Sequence, residues 1–255
     1  MQRVSWTYSD VDRSGDPAEA VAWMDTLASW PSVRAYKQRT LELIADWEGV
    51  VLDVGCGLGD EVRALGEGAI GVDTSLAMLE IAHERGGVYV KGDVHALPFD
   101  YESVGAVRTD RVLQHAADPG LALDEVVRVL KHGGLVVLAE PDQSTLHIEG
   151  TDPDLTPAVV RFRTDVGLRN GRLASRLGAL LRSIGVRGIN SESFPVPITD
   201  PANAFGLLSW PQQLVERGWF TEGQASRFLA SLDDAVAAGT FLYTSDVVVT
   251  WGRKG

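Results

Sequence analysis

The chain has 255 residues, 45% of them hydrophobic, with a formal net charge of −12 and a pI near 4.8. That length supports one sizeable core, so a single domain with insertions is expected, and the negative charge speaks against a bulk electrostatic partnership with nucleic acid. The lone cysteine, Cys56, excludes an internal disulfide, and with neither a bilayer-spanning run nor a hydrophobic secretory segment after Met1, a soluble cytoplasmic protein with no membrane partner is predicted.

Residues 16–48 read as helix in two pieces broken near Pro31, with Ser29 or Ser32 available to cap the second piece. Val50–Val54 is an apolar run of β-formers that stops at Gly55, and glycines recur at 57 and 59. A buried strand turning sharply into a helix from Asp60 fits that pattern. Ala69–Asp73 reads as a second strand, Ser75–Arg85 as a helix, Gly87–Gly92 as a third strand and Val104–Arg108 as a fourth. Leu121–Leu130 has apolar residues at 123, 126, 127 and 130, the spacing of a helix face, and Gly134–Glu140 is a fifth strand. Such alternation predicts a parallel sheet with helices on both faces. Past Glu140 the rhythm changes. Residues 151–184 and 201–239 look mostly helical, while Val186–Val196 and Phe241–Trp251 look like strands. Helical insertions of this length beside a ligand-binding edge suggest a cap or substrate wall.

In an open parallel sheet, ligands bind at the carboxyl ends of the strands. The first strand ends in glycines, which let a ligand approach the backbone closely. Asp53 lies inside that strand, and a buried carboxylate needs a cationic partner; a positive ligand group would supply one. Asp73 closes the second strand eighteen residues after Gly55, a station suited to both ribose hydroxyls of an adenosine. Asp93 and Val94 follow the third strand and suit an adenine, one taking its amino group and the other packing on its ring. A dinucleotide fingerprint would want glycine at position 60, where Asp60 would repel a pyrophosphate, and no P-loop Gly-Lys-Ser/Thr follows. Asp53 and Asp60 favour a cofactor with positive groups, as the ammonium and sulfonium of S-adenosylmethionine.

Five segments now carry a family resemblance: Asp53-Val-Gly-Cys-Gly-Leu-Gly59, Gly71-Val-Asp73, Gly92-Asp-Val-His-Ala-Leu-Pro-Phe99, Val112-Leu-Gln-His115 and Val129-Leu-Lys-His-Gly-Gly134. In order and at this spacing they resemble the class I S-adenosylmethionine-dependent methyltransferases, in the branch of ubiquinone/menaquinone C-methyltransferases and many small-molecule methyltransferases of natural-product pathways. The resemblance covers about residues 33–141. It implies a Rossmann-like α/β fold: a seven-stranded, mostly parallel sheet of order 3-2-1-4-5-7-6, strand seven antiparallel, with helical cap insertions. The expected organisation is a helical lid at 1–48, a cofactor core at 49–141, cap insertions at 142–184 and 197–240, and closing strands at 185–196 and 241–255.

Carried over residue by residue, the resemblance puts Asp53 near the methionine amino group, directly or through water, and Gly55 and Gly57 under the methionine part. It gives the ribose to Asp73, the adenine amino group to Asp93 and the adenine ring to Val94. Arg111 follows the fourth strand, where the family contacts the methionine portion with backbone atoms. An N-terminal helix residue is expected to hold the carboxylate; Arg34, Tyr36 and Arg39 are candidates, Arg39 preferred. The implied activity is methyl transfer to O, N or C of a small-molecule acceptor, and nothing in the reading opposes a homo-oligomer.

The remaining candidates are local. His115 would be a general base or a structural histidine under the cofactor loop, and His147, after the fifth strand, would face the substrate. Cys56 reads as a small buried residue rather than a nucleophile, since the motif places no histidine beside it. Residues 161–187 carry seven arginines and one acid, which reads as a solvated helix face or as a site for an anionic substrate; Arg169 and Asn170, in a turn, are the better site candidates. Trp6 and Tyr8 are candidates for an aromatic lid. No His/Cys cluster has zinc spacing, so no metal is expected. Arg108-Thr-Asp110 stands where base and glutamine N-methyltransferases carry Asn-Pro-Pro-Tyr, which argues against those substrates. A nucleotide-dependent oxidoreductase and a non-catalytic adenosine-ligand binder are the alternatives.

Overall fold

The computed structural model describes residues 17–255. The chain opens with helices α1 (Pro17–Ser29) and α2 (Pro31–Ile44). It continues β1 (Val51–Val54), α3 (Asp60–Leu65), β2 (Ala69–Asp73), α4 (Leu76–Glu84), β3 (Tyr89–Lys91), β4 (Val104–Asp110), α5 (Pro119–Val129) and β5 (Leu130–Glu149). Then come α6 (Thr156–Asp165), α7 (Leu177–Ser183), β6 (Val186–Ile198), α8 (Trp210–Glu216), α9 (Glu222–Ala238) and β7 (Leu242–Lys254). The strands form one seven-stranded sheet of order β3-β2-β1-β4-β5-β7-β6, as expected. β1 is parallel to β2 and β4, β2 to β3, and β4 to β5.

Several ends differ from the sequence reading. Neither Ser29 nor Ser32 caps α2. Its N-cap is Trp30, with Pro31 in the first turn, where the missing N–H costs nothing and the fixed φ suits a helix. The Ser29 hydroxyl instead donates to the Thr26 carbonyl at 2.6 Å. α5 begins earlier than Leu121, because the Asp118 carboxylate accepts from the Gly120 and Leu121 N–H groups at 2.9 and 3.1 Å and starts the helix at Pro119. β5 does not stop at Glu140 but runs through Pro141 to Glu149.

The chain forms two compact units. The larger holds the described residues up to Glu140 with Leu173–Phe194 and Val247–Gly255. Its core packs Leu52, Val54, Val72, Val107, Val136 and Leu138 of the strands against Leu123, Val126 and Val129 of α5 and Leu177 and Leu181 of α7. Each such buried side chain contributes roughly 1.5–3 kcal/mol. Residues 173–184, joined to the insertion in the sequence reading, are thus part of this core. A second cluster joins Cys56, Val62, Ala69, Leu79, Ala82 and Tyr89. The smaller unit comprises Pro141–Arg172 and Pro195–Asp246, with α6, α8 and α9. Among the described residues no helix is long and apolar enough to cross a membrane.

Candidate cofactor site

The loop after β1 is held in backbone conformations that glycine permits. Gly55, Gly57 and Gly59 have φ of 73°, 50° and 74°. The space beside them is not reserved for a ligand alone. A Cβ at Gly55 would overlap Val112, one at Gly59 the Tyr89 phenol, and one at Gly57 would lie 2.5 Å from the Met24 methyl of α1. The glycines therefore serve packing as well as approach. Asp73, at the end of β2, fixes this loop: its Oδ2 accepts from Gly57 N–H at 2.8 Å and its Oδ1 from Ser75 N–H at 2.9 Å.

Beneath the loop lies a buried charge network that the sequence reading did not foresee. Asp53 of β1 pairs in register with Arg108 of β4. Both side chains are 1% exposed, and Arg108 Nη1 donates to Asp53 Oδ1 at 2.7 Å. Arg108 Nε donates to Thr40 Oγ1 of α2 at 2.8 Å, and Nη2 to Asp110 Oδ2 at 3.0 Å. Tyr36 of α2 donates to Asp110 Oδ1 at 3.2 Å. Lys37 lies 2.8 Å from Glu61 of α3 and 3.7 Å from Asp110, and Arg111 Nε lies 3.6 Å from Asp110. The cation expected to justify Asp53 is thus supplied by the protein itself. Arg108 leaves one acceptor over: Asp53 Oδ2 is buried and has no hydrogen-bond partner.

The protonation equilibria follow from this packing. Burial pushes the Asp53 carboxyl up to about 6, against the pull of Arg108. For Asp110 burial works in the same sense, but Lys37, Arg108 and Arg111 outweigh it and hold the carboxyl below its ordinary range. Glu61 is also lowered, because Arg108 and Lys37 overcome its desolvation. Burial drives the Cys56 thiol upward, so it is a poor nucleophile. Asp60 pairs with Arg63 of its own helix instead of facing outward as a free charge.

The segment after β4 is organised by Glu140 of β5. Its carboxylate, fully buried, accepts from the backbone N–H of Val112, Leu113 and Gln114 at 2.9, 2.7 and 3.1 Å. Burial pushes this carboxyl up to about 8, opposed by those three donors. Arg111 adopts φ 58°, rare for a side-chain-bearing residue, and its N–H donates to the Ala139 carbonyl at 2.8 Å. Past β3, Asp93 is exposed and its Oδ1 accepts from His95 N–H at 2.9 Å and lies 2.6 Å from His95 Nδ1; Val94 is buried. Burial raises the Asp93 carboxyl, but the His95 bonds leave it below its usual value.

The other predicted residues divide clearly. Arg39 does not join the network: it forms a two-pronged pair with Glu192 of β6 at 2.9 and 2.8 Å and lies over the Trp251 ring. From the same helix it is Tyr36, with Lys37 and Thr40, that faces the ends of β1 and β4. Arg34 bonds only within its helix pair, to the Ala28 carbonyl at 3.4 Å. His115 is half-buried in the segment Glu140 holds, with its N–H on the Val112 carbonyl at 3.0 Å. His147 does not line an enclosed site; its side chain is 59% exposed on β5 and pairs with Glu149. Arg169 is exposed and Asn170 half-buried in the expected turn after α6. Trp6 and Tyr8 lie outside the described residues.

The donors and acceptors present fit S-adenosylmethionine. Asp53 Oδ2 is an orphaned acceptor in the interior, and such an atom is costly until a donor such as an ammonium meets it. Asp73 stands at the end of β2 beside the loop, where Gly55, Gly57 and Gly59 carry no side chain. A sheet of this order with such a loop defines the class I S-adenosylmethionine-dependent methyltransferases.

Comparison with known proteins agrees. The model of a methyltransferase domain family matches residues 52–138. An uncharacterized 37.1 kDa protein in transposon Tn4556 of Streptomyces fradiae is 34% identical over 246 residues, covering 88% of this chain and 68% of that protein. A demethylmenaquinone methyltransferase of Roseiflexus castenholzii is 37% identical over 118 residues, 42% of this chain and 49% of that protein, so the match spans about half of its length. The fold is shared with Haemonchus contortus phosphoethanolamine N-methyltransferase 2, solved with S-adenosyl-L-methionine, at a TM-score of 0.58 and 16% identity, covering 98% of this chain and 60% of that one. The chain belongs to the class I S-adenosylmethionine-dependent methyltransferases, the transposon protein being a relative over most of its length.

Proposed function

We propose that the protein transfers a methyl group to O, N or C of a small-molecule acceptor, of the natural-product kind. The observation that carries this is the unpartnered Oδ2 of Asp53 at the end of β1, poised over a charge network that is otherwise satisfied. S-adenosylmethionine, when bound, supplies a methyl group already activated on a sulfonium. The protein's part is to bind, orient and exclude water. Asp53 would take the amino group, Asp73 the ribose hydroxyls, and Asp93 with Val94 the adenine, while the backbone of Gly55, Gly57 and Arg111 shapes the methionine end. Tyr36 replaces Arg39 as the α2 residue we assign nearest that end. His115 is the candidate base and His147, exposed, is set aside. The acidic surface disfavours nucleic acid as acceptor. Demethylmenaquinone, in the name of the half-length relatives, supports a small acceptor.

The test is calorimetry with S-adenosylhomocysteine and product-release assays against phenols, amines and quinols. Charge-assisted hydrogen bonds contribute about 1.5–3 kcal/mol each, so Asp73→Ala should weaken S-adenosylhomocysteine at least roughly tenfold. Unchanged affinity in that variant would sink the ribose assignment.

A further inference from the structure

The segment that follows β3 is pinned along its length. Gly92 N–H donates to the Asp73 carbonyl at 3.0 Å, which sets the next residue, Asp93, beside the end of β2. Ala96 N–H closes a turn on the Asp93 carbonyl at 2.9 Å. Further on, α5 holds the segment. Leu97 N–H donates to Glu125 Oε2 at 2.9 Å, and Arg128 donates from Nη1 to the Phe99 carbonyl at 3.0 Å and from Nη2 to the Leu97 carbonyl at 3.1 Å. Val94 and Leu97 are buried within this frame. The Asp93 side chain is 57% exposed, and among the described residues the one side chain tied to it is His95.

His95 stands between two partners. Its Nδ1 lies 2.6 Å from Asp93 Oδ1, and its Nε2 lies 3.2 Å from the backbone nitrogen of Asp118, the N-cap of α5. A backbone N–H can only donate, so Nε2 is the bare nitrogen and the ring carries its proton on Nδ1, directed at the carboxylate. His95 N–H reaches the same Oδ1 at 2.9 Å. Ring and backbone thus bring two donors to one oxygen and none to Oδ2. A carboxylate this exposed would otherwise turn freely about its last bonds. Fixing it before a ligand arrives removes that ordering cost from binding.

We infer that His95 is a positioning residue for cofactor recognition: by holding Asp93 Oδ1 it presents Oδ2 to the exocyclic amino group of a purine, and so sets a preference for adenine over a 6-keto base. An amino group donates to that oxygen, whereas a keto oxygen in the same place meets it acceptor to acceptor. This deepens the methyltransferase reading and rests on its assignment of Asp93 to the adenine. The role is separate from fastening the segment, which Gly92, Glu125 and Arg128 already do.

The test is calorimetry on the full chain with S-adenosylhomocysteine and S-inosylhomocysteine, which differ in amino against keto at the purine. The wild type should prefer the adenosine ligand at least roughly tenfold. Two replacements separate the two ends of the imidazole. An asparagine amide reaches the place of Nδ1 and keeps a donor for Asp93; a glutamine amide reaches the place of Nε2 and keeps an acceptor for Asp118. His95→Asn should therefore hold most of the preference, and His95→Gln should reduce it by roughly three- to tenfold, the cost of ordering one side chain. Nitrogen NMR of the wild-type imidazole should show Nδ1 protonated and Nε2 bare, a readout that depends on neither variant folding. The opposite tautomer, no preference in the wild type, full preference in His95→Gln, or a loss in His95→Asn as large as in His95→Gln would each overturn the inference. Asp93→Ala should abolish the preference; its survival there would remove the adenine assignment and the inference with it. Failure of the wild type to bind S-adenosylhomocysteine would instead count against the methyltransferase reading.

Discussion

Acidification should release the cofactor product through Asp53. Burial raises its carboxyl to about 6 in the free protein. A bound ammonium at Oδ2 would favour the ionised form and return the carboxyl towards its ordinary range. At pH 7 about one-tenth of the free protein would carry a proton on Asp53, and at pH 5 about nine-tenths. The ionised, binding-competent fraction thus falls roughly tenfold, and S-adenosylhomocysteine affinity should fall with it, about 1.4 kcal/mol. The ligand's own amino and carboxyl groups titrate outside that window. The stability of the free protein moves the other way. A carboxyl whose folded value is raised binds its proton more tightly in the native state, so stability is highest below the unfolded value and declines as pH rises from about 4 to about 6, by about 3 kcal/mol in total. The assay is calorimetry at half-unit steps from pH 5 to 7, on wild type and Asp53→Asn. The variant should bind weakly and without the pH step, which separates Asp53 from the five histidines of the chain. A flat wild-type profile, or the same slope in Asp53→Asn, would refute the reasoning.

Two further perturbations address the scaffold of the site. Arg108→Met leaves Asp53 and Asp110 buried without their shared guanidinium and should cost about 3–5 kcal/mol in urea denaturation; a loss below about 1 kcal/mol would mean the pair is not held as described. Glu140→Gln turns a donor towards at least one of the three N–H groups now bonded to the carboxylate, at about 1–3 kcal/mol. Amide exchange at Val112, Leu113 and Gln114 should accelerate while the rest of β4 and β5 stays protected, and unchanged exchange there would deny Glu140 its organising part.

How much of this was legible in the sequence follows from the range of each interaction. The alternation of strands and helices and the glycine loop come from local signals, apolar runs, glycines and acidic residues at regular stations, whereas the sheet order is what the family resemblance implies. The helix ends and the length of β5 were less legible. Capping at Asp118 competes with several nearby polar residues, and a Pro141 inside a strand reads as a stop. The arginine-rich stretch showed its composition but not that Arg163 is the member the fold would bury, because that depends on Trp210 and Tyr243, far along the chain. The turn that favours the exposed Arg169 is a local signal and carries no information about burial.

The Asp53–Arg108 pair could have been found. Val104–Asp110 is a buried parallel strand whose residues are apolar, small or neutral up to Val107, and Arg108 then interrupts it. An opposite charge at the same depth of the preceding central strand, Asp53, is the partner that parallel pairing of adjacent strands would supply. Two unlike charges on neighbouring central strands are more economically explained by one another than by two separate ligands, since each alone is prohibitively desolvated. That argument alters the meaning of Asp53 without removing it from the site. A carboxylate held by two arginine nitrogens would be spent; here Arg108 divides its donors among Asp53, Asp110 and Thr40, and reaches Asp53 through Oδ1 alone. The result is a charge fixed in place by the protein with one acceptor in reserve, which is the state a binding site for an ammonium requires before its ligand arrives.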